Sequence, residues 1–231
     1  MKQKLVLFDI DGTLLLSDGA GRRAIQAAFA DHGVDIARGA GIRFDGKTDP
    51  QIVREILEAA GHPAPDAGRI AAVLGKYLAH LERDLAEHGY RSRLMPGVPA
   101  LLDLLEADTR VLLGLLTGNM VDGARLKLRA AGLDPERFVV GAFGSDHARR
   151  GELPGIAARR AETQFGRIPT GSEVVIIGDT PADVRCADGI GARTVAVATG
   201  GYTVAELEAA GAHAVFTDFS DVGRALEAIL F

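Results

Sequence analysis

Four aspartates at the ends of apolar runs are the residues of this sequence best suited to chemistry. FDIDGTLL places Asp9 and Asp11 two apart, just before Gly12. EVVIIGDTPADV places Asp179 and Asp183 four apart, again where an apolar run stops. VLLGLLTGN ends in Thr117, Gly118 and Asn119, which offer a hydroxyl, an amide and open backbone. Residues two apart share one face of a strand, and a glycine turn lets both carboxylates face one pocket. A spacing of four across a turn and the start of a helix does the same. Gathering four negative charges is unfavourable unless something positive sits among them. A hard divalent ion with oxygen ligands meets that need, and Mg²⁺ suits a few carboxylates plus substrate oxygens. Taken singly, each aspartate also serves as a turn former or helix cap, Asp183 above all. Their grouping is what points to chemistry.

Something must hold those strand ends side by side. Apolar runs recur at Lys4 to Phe8, VLLGLLTGN, FVVGAF, EVVIIGD and RTVAVAT, with a weaker one in HAVF. Helical patterns lie between most of them, for example Leu101, Leu102, Leu104 and Leu105. This alternation predicts an α/β fold, a doubly wound (Rossmann-like) parallel sheet with ligands beyond the carboxyl ends of its strands. Between Ser17 and Tyr90 the alternation stops. Ile25, Ala28 and Phe29, then Ile52, Val53, Ile56 and Leu57, then Ile70 through Leu85 mark three helices with no strand between. The expected organisation is an α/β core from residues 1–16 and 92–231, with an inserted all-helical cap domain over 17–91.

Composition narrows the classes. Lys plus Arg number 26 against 31 Asp plus Glu, a net charge of −5, so no basic footprint for nucleic acid or anionic lipid exists. The single cysteine, Cys186, excludes an internal disulfide framework and a multi-cysteine zinc site. No apolar run approaches the roughly 20 residues of a membrane span, and LVLF is too short for a signal-peptide core. The expectation is a cytoplasmic protein with neither nucleic-acid nor membrane partners, a monomer or homodimer.

With these residues in view, the chain resembles the haloacid dehalogenase superfamily. Asp9-Ile10-Asp11-Gly12-Thr13 matches its Asp-x-Asp-Gly-Thr strand end, Thr117 its strand ending in Thr or Ser, and Gly178-Asp179 through Asp183 its Gly-Asp-x-x-x-Asp motif. The helical stretch after the first motif matches the cap these enzymes carry. The third motif, usually a lysine before a core helix, departs: SDHARRGELPGIAARRA has none. Arg150 is the substitute by position, with Arg149 the alternative, and an arginine is no equivalent point charge.

The resemblance implies a Mg²⁺-dependent phosphatase acting on a small phosphorylated metabolite. Asp9 would form an aspartyl-phosphate, and Asp11 would act as acid and then base. The metal would be held by Asp9, the Asp11 backbone carbonyl, Asp179 and Asp183. Thr117, Gly118, Asn119 and Arg150 would bind the phosphoryl group. A mutase of the β-phosphoglucomutase type would use the same aspartates. Such mutases usually carry Arg and Ser where this chain reads FDGKTDPQI, wording closer to phosphoglycolate-type phosphatases. A non-catalytic binding module on the same fold is the remaining alternative, and the four intact aspartates weigh against it.

GIRFDGKT, from Gly41 to Thr48, satisfies the P-loop expression, yet no buried strand leads into it and Asp45 would put a negative charge in an anion cradle. It reads better as a cap loop leaning over the site, with Lys47 near the distal end of a substrate and Arg43 a second choice. A plain helix start capped by Thr48 or Asp49 is the competing reading. Of the six histidines only His147 lies near the proposed pocket, and Cys186 reads as a small packing residue.

Overall fold

The structure, a computed structural model, describes residues 2–39 and 41–231. Six strands form a parallel sheet: β1 (Lys4–Phe8), β4 (Val111–Leu116), β5 (Val140–Ala142), β6 (Val174–Gly178), β7 (Arg193–Val197) and β8 (Ala214–Phe216). Across the sheet they run in the order β5-β4-β1-β6-β7-β8. Two further strands, β2 (Leu15–Leu16) and β3 (Arg93–Leu94), pair antiparallel outside that sheet. Helices α4 (Val98–Ala107), α5 (Val121–Ala130), α6 (Leu153–Arg160), α7 (Glu162–Phe165), α8 (Pro181–Cys186), α9 (Val204–Ala209) and α10 (Val222–Leu230) surround the sheet. The doubly wound α/β architecture is as the alternation of patterns predicts.

Alternation along β1 divides the core between the two faces of the sheet. Val6 and Phe8 pack with Leu101, Leu105 and Ile229, while Leu5 and Leu7 pack with Leu153, Ala157 and Phe165. Both faces of the sheet are therefore covered, which is why its central strands are apolar throughout.

The helical insertion comprises α1 (Ala20–Asp31), α2 (Asp49–Ala59) and α3 (Ala67–His88). It has an apolar core of its own, in which Ile25, Phe29, Val53, Leu57, Tyr77 and Leu81 are almost fully buried. The sequence pattern omits the β2–β3 pair, because two residues are too few to show a period. Leu15 pairs with Leu94 and Leu16 with Arg93, so both chain crossings between insertion and sheet run side by side. No helix among the described residues is long and apolar enough to cross a membrane.

Candidate active site

β1 lies between β4 and β6, the strands at which the chain changes direction across the sheet. Phe8 is level with Leu115 on one side and Ile177 on the other. The residues just past these strand ends are Asp9, Thr117 and Asp179, so the register brings them together at the crevice where such folds bind ligands. Gly12 has φ +82°, and a Cβ there would fall 2.3 Å from Asp179 Oδ2. Only glycine permits that turn and that approach together.

Asp9, Asp179 and Asp183 are all buried, and one oxygen from each lies within 4.8 Å of the others. Each is fixed from outside the cluster. Thr13 donates its hydroxyl to Asp179 Oδ1 at 3.1 Å. The Thr180 amide and hydroxyl donate to Asp183 Oδ2 at 3.0 and 2.6 Å, in the capping box that starts α8. Arg150, also buried, places Nη2 3.2 Å from Asp9 Oδ1 and donates to Asp183 Oδ1. Burial pushes the Asp9 carboxyl up to about 6, with Arg150 opposing and Asp183 and Asp11 adding to the rise. Burial and the charges of Asp183 and Asp9 hold Asp179 well above the ordinary carboxylate range. One guanidinium thus faces three buried carboxylates. The donor set, all oxygen and short of positive charge, fits a divalent cation such as Mg²⁺.

The Asp11 side chain turns away from that cluster. Its Oδ2 accepts from Lys127 Nζ at 2.7 Å and from Asn119 Nδ2 at 2.8 Å. Asn119 Nδ2 also reaches Thr117 Oγ1 at 2.8 Å, and Lys127 donates to Asn119 Oδ1 at 2.7 Å. The Asn119 side chain therefore ties Asp11 to Thr117.

Asp9, Asp11, Thr117, Gly118, Asn119, Arg150, Asp179 and Lys47 line one cavity of about 390 Å³. Asp183 is not among the lining residues and joins through its oxygen in the carboxylate cluster. The alternative Arg149 is exposed and pairs with Glu152, while His147 binds locally to Arg149. Lys47 donates to Glu55, so its charge is already matched within the insertion.

The 43–48 loop leans on the core, and Thr48 also caps α2, accepting from the Gln51 amide at 3.2 Å. The helix-start reading with Thr48 as cap describes the local structure, and Phe44 to Lys47 also line the cavity. Thr48 Oγ1 donates to the Ala148 carbonyl at 2.6 Å, and the Asp49 amide to the Gly118 carbonyl at 2.7 Å. The Met120 amide in turn donates to Asp49 Oδ2 at 2.8 Å. Burial pushes the Asp49 carboxyl up to about 6, with the Lys127 charge opposing. A Cβ on Gly118 would lie 2.0 Å from the Lys47 carbonyl oxygen, so the close seat of this loop requires glycine.

Sequence reasoning missed Lys127 and Thr180, and named Thr13 and Asp49 only as a motif position and a helix cap. For Lys127 a signal existed: with Gly123, Ala124 and Leu128 it occupies the buried face of α5 at helical spacing. Read as part of LKLRA, it looks like one of several solvated charges.

A family model for haloacid dehalogenase-like hydrolases matches residues 3–191. A phosphoglycolate phosphatase from Cereibacter sphaeroides is 31% identical over 229 residues, 97% of this chain and 98% of the relative. Another from Rhodospirillum rubrum is 32% identical over 225 residues, 95% of this chain and 89% of the relative. Among solved structures, CbbY from Rhodobacter sphaeroides in complex with phosphate is 26% identical with a TM-score of 0.73, covering 96% of this chain and 97% of its own. A single-residue variant of it in complex with xylulose-(1,5)bisphosphate is 25% identical with a TM-score of 0.74 and the same coverage. On the matched motifs, the fold and these relatives, the chain belongs to the haloacid dehalogenase-like hydrolase family.

Proposed function

We propose that this chain is a Mg²⁺-dependent phosphatase that hydrolyses a small phosphate monoester through an aspartyl-phosphate on Asp9. The observation that carries the reading is the buried Asp9–Asp179–Asp183 cluster facing Arg150 at the end of β1. When bound there, a divalent cation supplies positive charge to the carboxylates and to the phosphoryl oxygens.

Asp9 attacks phosphorus while the ester P–O bond breaks, and Asp11 gives its proton to the leaving oxygen. In the second step Asp11 takes a proton from water, the water oxygen attacks phosphorus, and the bond to Asp9 breaks to release phosphate. Thr117 and the 118–119 backbone hold the transferring group, with Arg150 offsetting its charge. The buried Arg150 Nε has no hydrogen-bond partner among the described residues. Residues 17–91 act as a cap that closes over residues 1–16 and 92–231, with hinges near Gly19 and Arg93, and excludes water during the first step.

Arg22 and Arg93 also line the cavity, and neither has a carboxylate partner among the described residues. Arg22 instead stacks over the Phe44 ring at 4.2 Å. These two free cations, rather than Lys47, favour a substrate with a second anionic group. Phosphoglycolate phosphatases and CbbY, named with such compounds, are consistent with that preference.

A phosphate-release screen with Mg²⁺ over small phosphorylated metabolites tests the proposal. Release is expected to be fastest from esters bearing a second anion, with Arg22→Ala raising KM for these more than for p-nitrophenyl phosphate. Sugar-phosphate isomerisation without net phosphate release would identify a mutase instead.

A further inference from the structure

We propose that Lys127 is a positioning residue that fixes which oxygen of Asp11 exchanges protons with substrate and water. The inference rests on the reading of Asp11 as acid and base.

The environment of the pair is lopsided. The Lys127 side chain is 6% exposed, whereas the Asp11 side chain is 41% exposed and opens onto the cavity. Burying an ammonium group is costly unless it is paired and hydrogen-bonded. A purely structural ion pair gains nothing by burying the cation while leaving its carboxylate open to a ligand cavity. Here the buried partner is spent on one oxygen. Oδ2 accepts from both Lys127 Nζ and Asn119 Nδ2, at 2.7 and 2.8 Å, and those two donors occupy its lone-pair directions. Oδ1 is left to carry the proton. The second Lys127 bond, to Asn119 Oδ1 at 2.7 Å, closes a three-membered ring of side chains that resists rotation of the carboxylate.

The sequence makes room for this arrangement. Gly21, on α1 of the helical insertion, faces the ammonium, and a Cβ there would stand 3.3 Å from Lys127 Nζ. Tyr77 Oη, from α3, lies 3.9 Å from that same point. The cation on α5 is thus enclosed by the insertion as well as by the core.

Without Lys127 the carboxyl turns, and proton delivery to the leaving oxygen suffers most where the leaving group is a poor one. The test is kcat/KM with Mg²⁺ for p-nitrophenyl phosphate, whose leaving group needs little protonation, and for an alkyl ester such as glycerol phosphate. For Lys127→Met the alkyl ester should lose at least about tenfold more than the aryl ester, part of the roughly 10²–10⁴-fold that general acid catalysis contributes. Lys127→Gln, which retains a donor, should show a smaller change of the same sign. The ratio of the two values does not depend on how much of either variant folds. Equal losses on both esters, or no loss on either, would overturn the proposal. If Asp11→Asn leaves the ratio unchanged, the acid–base reading itself falls and this inference with it.

Discussion

Arg150 Nη2 stands 3.2 Å from Asp9 Oδ1, and both side chains are buried at the end of the first strand. The same guanidinium also donates to Asp183, so one fixed charge holds two of the three clustered carboxylates. Removing one partner of a buried ion pair leaves the other uncompensated, at a cost of about 3–5 kcal/mol. Arg150→Ala should therefore lose stability of that order in chelator, measured by urea unfolding, and regain part of it with Mg²⁺. Equal stability of variant and parent in chelator would contradict this account of the cluster.

Asp179→Ala removes one carboxylate from that cluster and leaves Asp9 and Asp183 in place. Titrating activity with Mg²⁺ should show a metal requirement shifted to higher concentration, with the maximal rate falling as well. A Mg²⁺ titration that superimposes on that of the parent would show that Asp179 holds no cation.

Asp49 provides a stability prediction with a definite sign. Its carboxyl titrates at about 6 in the folded protein against 3.8 for the free group. Between those values the folded state keeps a proton that the unfolded state has released. Stability from this group is therefore full below about pH 4, falls as the pH rises to about 6, and stays lower by about 3 kcal/mol beyond it. An asparagine at this position would retain an acceptor for the Met120 amide and would not titrate, so Asp49→Asn should gain relative stability over that interval. Unfolding of the two proteins at pH 4 and pH 7, with Mg²⁺ present, measures the difference. A stability gap of the same size at both pH values would contradict it.

Gly118→Ala tests the seat of the loop on the core. The added Cβ meets the Lys47 carbonyl at 2.0 Å, and backbone on both sides must shift. Overpacking of this kind costs about 1–3 kcal/mol. Because the Asp49 amide binds the Gly118 carbonyl, turnover should fall together with thermal stability. A variant with parental melting temperature and kcat would show that the loop does not need this approach.

The sheet, its helices and the three insertion helices were legible because each follows a period of apolar residues long enough to read. The β2–β3 pair was not legible, since two residues carry no period and their partner lies across the whole insertion. At the site, strand ends made Asp9, Thr117 and Asp179 visible as neighbours. Lys127 stayed hidden because its meaning comes from Asp11, 116 residues earlier in the chain. Arg150 could be distinguished from Arg149 only once one was seen to be buried against Asp9 and the other exposed beside Glu152. Lys47 shows the opposite limit: position brought it to the cavity, but Glu55 takes its charge.

The most direct test of the central claim is to look for the phosphoryl group on Asp9. The protein is mixed with Mg²⁺ and a phosphate ester, quenched in acid within a turnover, and digested for mass spectrometry. The account predicts a phosphoryl adduct on the peptide containing Asp9, absent from Asp9→Asn, which should also release no phosphate. Turnover without any adduct, or substantial phosphate release by Asp9→Asn, would contradict it.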